Sequence, residues 1–161
     1  MFRKYILPII LILILAAVDQ YTKYLVIQNI ELNSEIPLLG DVLVLGHIQN
    51  KGAAWGSLAG KTVLLLIITV VVAILLCRLY LKIINNDKFK IVRYCFIFVL
   101  GGAIGNLIDR VRLGYVTDFI YFKIINFPLF NFADICVTVS MFTLIILFVF
   151  KYKTEELEEL F

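Results

Sequence analysis

Four runs of apolar residues, each about as long as a bilayer's hydrocarbon core is thick, decide what this chain can become. They occupy 5–27, 62–84, 91–108 and 132–150. A helix needs about 20 mostly apolar residues to cross the hydrocarbon region. No open-ended alternative exists, because every backbone N–H and C=O in lipid must find its partner within its own segment. The composition agrees: 62% of residues are hydrophobic and the mean hydropathy is +0.99, whereas soluble domains are roughly half apolar. The expected fold is therefore an all-α membrane protein with four transmembrane helices, forming one domain over 1–161. Arg3 and Lys4 before an apolar stretch resemble a secretory leader. The stretch exceeds the roughly 7–15 apolar residues of such a leader, so it is read as a retained first helix.

Lysine and arginine in the flanks set the orientation. With four spans, both termini and the 85–90 connection share one side. That side carries Arg3, Lys4, Arg78, Lys82, Lys88, Lys90, Arg93, Lys151 and Lys153, and the other carries Lys51, Lys61, Arg110, Arg112 and Lys123. The excess places both termini in the cytoplasm and the connections 28–61 and 109–131 outside it. The first of these is too apolar for a flexible linker. Leu38, Val42, Val44 and Ile48, punctuated by Gly40 and Gly46, suggest short strands. Gly52, Gly56 and Gly60 suggest tight turns or close backbone approach. A small extracytoplasmic β-rich element between the first two helices is expected, with Trp55 at headgroup level. The acidic tail 154–161 reads as a solvated end.

Several function classes drop out. A net charge of +3 with its basic residues scattered is no footprint for nucleic acid. Cys77, Cys95 and Cys136 are far apart in apolar runs, which fits buried hydrophobes better than a disulfide framework or a zinc site. His47 is the only histidine, and there is no GxSxG elbow and no HExxH pair. Ser57 with Lys61 makes a poor nucleophile pair, because Lys61 flanks the second span.

The polar residues left at the membrane edge need explaining. Asp19 and Lys23 are four apart and share a helix face. Asp19 lies roughly 21 Å along the helix from Tyr5 at about 1.5 Å per residue. The two are either a self-neutralising pair that snorkels to the interface or a brace for a site. Asn106 and Asp109 share a face at the end of the third span. Asp109 with Arg110 is either an interfacial ion pair or another brace. Gly101 and Gly105 form a small-xxx-small pair suited to close helix packing. Asn131-Phe-Ala-Asp134 fits an N-cap with an acidic third residue. Asp118 lies in an extended segment, Tyr115-Val-Thr-Asp-Phe-Ile, where a turn carboxylate would be the plain reading.

Asp118 and Asp134 nevertheless fall at one membrane level. Ionised carboxylates there are expensive unless paired, hydrogen-bonded or functional. Two close acids share a proton: the ionised one takes a proton from water, and the protonated one donates to a scissile carbonyl. The alternatives are a small proton or ion transporter and a scaffold whose polar residues merely hold helices together.

These residues resemble a known family. Asp19-Gln-Tyr-Thr-Lys23, Asn50-Lys-Gly-Ala-Ala-Trp-Gly56, Gly101-Gly-Ala-Ile-Gly-Asn-Leu-Ile-Asp-Arg110, Val116-Thr-Asp-Phe119 and Phe130-Asn-Phe-Ala-Asp134 are similar, in order, to five motifs of the bacterial lipoprotein signal peptidases (signal peptidase II). The resemblance implies an aspartic endopeptidase of the bacterial plasma membrane that needs no metal or cofactor; a monomer is the expectation, though the sequence itself does not fix the oligomeric state. It implies a prolipoprotein signal peptide with a diacylglyceryl-cysteine as substrate, cut just before that cysteine. It maps the catalytic pair onto Asp118 and Asp134, and substrate-binding or supporting roles onto Asp19, Lys23, Asn50, Gly52, Asn106, Asp109, Arg110 and Asn131.

Overall fold

The computed structural model describes residues 2–52 and 60–158; Trp55, Gly56 and Ser57, on which readings were made above, lie outside them. Among the described residues four helices are long and apolar enough to cross a membrane, at Phe2–Asn29, Thr62–Ile83, Asp87–Leu113 and Phe132–Lys151. Their regular α-helical parts are α1 (Leu7–Asn29), α2 (Thr62–Ile83), α3 (Lys90–Leu113) and α4 (Phe132–Ile146), followed by a short α5 (Thr154–Glu158). Three strands, β1 (Glu35–Leu39), β2 (Leu43–Asn50) and β3 (Val116–Phe122), form one antiparallel sheet in the order β1-β2-β3.

Helix α3 is the hub, packing against α1, α2 and α4. Half of its most apolar window is buried, against 6% for α2, so most of α2 faces outward. Glycines make the close approaches possible. A Cβ on Gly101 would sit 2.7 Å from Leu15 of α1, one on Gly105 would sit 2.5 Å from Asp19, and one on Gly102 would meet the Ala133 carbonyl on α4 at 2.5 Å. The small-residue face of α3 is thus a packing face for two neighbours. At the end where α1 begins and α2 ends, Ile83, Phe89, Val92, Phe96, Leu144 and Leu147 form the main apolar cluster. At the other end Val26, Ile30 and Phe119 seat the sheet on the top of α1.

Two features differ from the sequence expectation. The sheet is not confined to the connection between α1 and α2, because its third strand comes from the connection between α3 and α4. And α3 continues five residues beyond the apolar run, through Asp109 and Arg110, until Gly114 at φ 79° returns its N–H to the Arg110 carbonyl. A left-handed glycine is the common helix stop, and Arg110 and Arg112 suit the negative end of the dipole. Apolar character ended the predicted span too early, since Asp109 and Arg110 carry the helix on into the protein, where they contact Lys23 and the Gly52 carbonyl.

His47 is buried in β2, and its Nδ1 lies 2.8 Å from the Ile30 carbonyl. A carbonyl only accepts, so Nδ1 carries the hydrogen, and the ring ties the sheet to the end of α1.

Candidate active site

The site sits where the sheet meets the ends of α1, α3 and α4, and its geometry starts with one buried ammonium. Lys23 is 2% exposed and has no acceptor of its own. Its Nζ lies 2.8 Å from Asp19 Oδ2, 2.9 Å from Asp109 Oδ2 and 2.8 Å from Asn106 Oδ1. All three N–H directions are used, and the pair with Asp19 does not snorkel. Asp109 pairs with Lys23 rather than with Arg110, its neighbour in sequence.

Because Lys23 claims the oxygen of Asn106, the amide nitrogen must turn the other way. Asn106 Nδ2 donates to Asp134 Oδ1 at 2.8 Å. Asn131 is oriented by its own helix in a similar manner. Its Oδ1 accepts from the Asp134 backbone N–H at 3.0 Å, and its backbone N–H donates to Asp134 Oδ2 at 3.1 Å, a complete capping box. The Asn131 oxygen is thus committed to the cap, so its Nδ2 faces outward. It donates to Asp118 Oδ1 at 2.7 Å and to Asn106 Oδ1 at 3.1 Å. One buried asparagine therefore bonds both aspartates.

β3 delivers Asp118. Ile48 of β2 stands opposite Asp118, and Asn50 stands opposite Val116. Asn50 Oδ1 accepts from the Gly52 N–H at 2.9 Å, which turns its Nδ2 to Asp118 Oδ2 at 2.8 Å. Arg110 secures that turn by donating to the Gly52 carbonyl at 3.2 Å. On the other side of β3, Phe130 exchanges backbone hydrogen bonds with Ile120, at 2.8 and 3.0 Å, and so brings Asn131 and α4 alongside. Each carboxylate ends with two N–H donors, all from neutral groups.

Asp118 is 3% exposed. Burial, and then the charge of Asp134, push its carboxyl up from 3.8 to about 7, against the lowering effect of the Asn50 and Asn131 amides and of Lys23. Arg110 interacts electrostatically with Asp134, Asp118 and Asp109. Asp134, Asn106 and Asn50 are only half-buried, which leaves the pair approachable from their side.

All ten residues singled out in the sequence meet here. Gln20 was missed. Its Nε2 donates to Asp109 Oδ1 at 2.7 Å and to the Gly105 carbonyl at 3.2 Å. A glutamine beside an aspartate in a membrane helix was itself a signal, but Gln20 lies off the Asp19–Lys23 face. Backbone donors were missed too: Ala133 N–H to Asp19 Oδ1 at 3.0 Å, and Thr117 N–H to Asp109 Oδ2 at 3.2 Å. No group of three histidine, cysteine or acidic residues suited to a metal occurs among the described residues.

The family model described as signal peptidase (SPase) II matches residues 11–150, a span that contains every residue of this site. The chain belongs to the signal peptidase II family. Curated relatives named lipoprotein signal peptidase include one from Enterococcus faecalis, 41% identical over 140 residues, covering 87% of this chain and 86% of the relative. Another, from Caldanaerobacter subterraneus, is 41% identical over 146 residues, covering 90% and 97%. A bacterial membrane enzyme solved by the in meso method superposes with a TM-score of 0.81 at 31% identity, covering 90% of this chain and 88% of that one. A second such structure gives a TM-score of 0.78 at 30% identity. Membership makes the protein a multi-pass membrane protease that acts on prolipoproteins. The five segments that resemble signal peptidase II motifs are also the ones that supply the side-chain hydrogen bonds around Asp118 and Asp134.

Proposed function

We propose that this signal peptidase II works as an aspartic endopeptidase, with Asp118 and Asp134 as its catalytic pair. The observation that carries the reading is Asn131: its side-chain amide bonds Asp118 while its backbone and Oδ1 cap Asp134. One residue thereby holds both carboxyl groups, an arrangement that suits a pair with one protonated and one ionised member. The ionised member takes a proton from water as the water oxygen attacks the scissile carbonyl, and the protonated member gives its proton to the carbonyl oxygen. Collapse of the resulting diol breaks the C–N bond, with the proton returned to the leaving amine. Only water is consumed.

The substrate is a prolipoprotein whose cysteine carries diacylglycerol, cut just before that cysteine. The excess of lysine and arginine on the side shared by both termini and the 85–90 connection supports a cytoplasmic location for both termini. The aspartate end, with the sheet, then faces the outer surface of the plasma membrane. One chain supplies every group in the network, so a monomer suffices.

Incubation of the purified protein with a diacylglyceryl-modified prolipoprotein tests this. A shortened product is expected from the parent, and none from folded Asp118→Asn or Asp134→Asn. Normal turnover by either variant would overturn the aspartic mechanism.

A further inference from the structure

A second polar feature lies at the far end of the bundle, where α1 and α3 begin and α2 ends. A cavity of about 650 Å³ opens there between the three helices. Four cations line it, Arg3, Lys4, Lys90 and Arg93, against one carboxylate, Asp87. The catalytic network uses none of them.

The cations divide by role. Arg93 holds the fold together, donating to the Ile83 and Asn86 carbonyls at 2.8 and 2.6 Å at the end of α2, with Asp87 3.2 Å away. Lys4 donates to the neutral Asn85 side chain at 2.7 Å. Among the described residues neither Arg3 nor Lys90 has an ion-pair partner. Two uncompensated cations thus face a cavity at a helix–helix junction on the membrane boundary.

The walls specify the occupant further. Leu7, Leu11 and Ile97 continue the cavity along α1 and α3 into the apolar zone. Tyr80, whose hydroxyl donates to the Lys4 carbonyl at 2.9 Å, and Tyr94, which falls between Arg93 and Ile97 along α3, also line it. A cationic mouth above an apolar wall, with tyrosines between, matches a phospholipid with an anionic headgroup: phosphate at the cations, first acyl carbons on the leucines. The substrate's leader is a poor occupant, because the n-region of a signal peptide is itself positive. We infer that this cavity is a binding site for an anionic phospholipid headgroup, remote from the catalytic aspartates and independent of their assignment.

Native mass spectrometry of the full chain in neutral detergent tests it, with phosphatidylglycerol and phosphatidylcholine as probes. One phosphatidylglycerol is expected to bind in preference to phosphatidylcholine. Arg3→Gln with Lys90→Gln is expected to weaken it roughly 30-fold, about fivefold per cation. The charge-conserving pair Arg3→Lys with Lys90→Arg should restore it. Lys51→Gln with Lys61→Gln, the same charge loss elsewhere, should leave it unchanged. Should the Lys90 variant fail to purify, Arg3→Gln alone carries the fivefold expectation. Equal retention of the two lipids, equal loss in the Lys51/Lys61 control, unchanged affinity in Arg3→Gln, or displacement by inorganic phosphate at matching concentration would overturn the site.

Discussion

Replacing Asp118 by asparagine removes a charge that the fold resists, and this gives a stability signature separate from the loss of activity. The carboxyl is raised from 3.8 to about 7, first by burial and second by Asp134. A raised acid favours the neutral form, so its contribution to stability is fully present below the unfolded value. That contribution is lost as the pH climbs through the folded value. Three units at about 1.4 kcal/mol each make the loss at most about 4 kcal/mol, nearly all of it between pH 4 and pH 7. The amide escapes that loss but pays elsewhere: Asp118 receives two N–H donors, from Asn50 and Asn131. Asparagine has one oxygen, so one donor confronts its NH₂ at a cost of about 1–2 kcal/mol. The variant should therefore be less stable than the parent at pH 4 and more stable at pH 8. The swing of about 4 kcal/mol corresponds to roughly 8–16 °C in the difference of melting temperatures for a chain of this size. Thermal unfolding followed by intrinsic fluorescence in neutral detergent, from pH 4 to pH 8, measures it. Parallel curves for parent and variant would refute the assignment of a buried, charge-coupled carboxyl at 118.

The same titration predicts that kcat/KM falls on the alkaline side near pH 7, as Asp118 loses its proton; a flat profile from pH 6 to pH 9 would contradict it. Lys23→Met strands Asp19 and Asp109 and should destabilise the protein by about 3–5 kcal/mol in a chemical-denaturation series, most of its molecules failing to purify folded. Asn131→Ala should lower kcat about 100-fold by releasing both carboxylates from their positions, while costing about 2–4 kcal/mol in stability for the lost cap and the lost buried amide bonds to Asp118 and Asn106. Gly105→Ala places a methyl 2.5 Å from Asp19 Oδ2 and should cost about 1–3 kcal/mol by overpacking. Among the described residues the buried Thr117 hydroxyl has no hydrogen-bond partner, so Thr117→Val should hold or raise the melting temperature, since a same-shaped apolar group removes an unsatisfied donor.

Much of the architecture was legible because it rests on local rules. Apolar runs marked the four helices to within a few residues at most ends, and the asparagine–aspartate spacing at 131 and 134 announced the capping box that α4 uses. The error at the end of α3 has the same root: apolar length reports where lipid ends, and α3 continues in protein until Gly114 stops it. Strand β3 was half legible. Its extended character showed in the β-branched and aromatic residues around Asp118, but its partner β2 lies in a different connection. The paired Asp19 and Lys23 were correctly placed on one face. Their spacing left open whether they reached for water or for the interior, and the answer came from Asp109 and Asn106 on α3.

The chain alone determined how many helices are long and apolar enough to cross a membrane, roughly where each starts, and which carboxylates lie at their edges, because those properties depend on residues within a turn or two of one another. Only the tertiary structure decided which way each amide points. Lys23 sets Asn106, the cap of α4 sets Asn131, and the Gly52 turn sets Asn50. That ordering passes from charge to amide to carboxylate through contacts between residues up to 83 positions apart. Hydrogen-bond direction is fixed by what already occupies each oxygen, and no spacing along the chain records it.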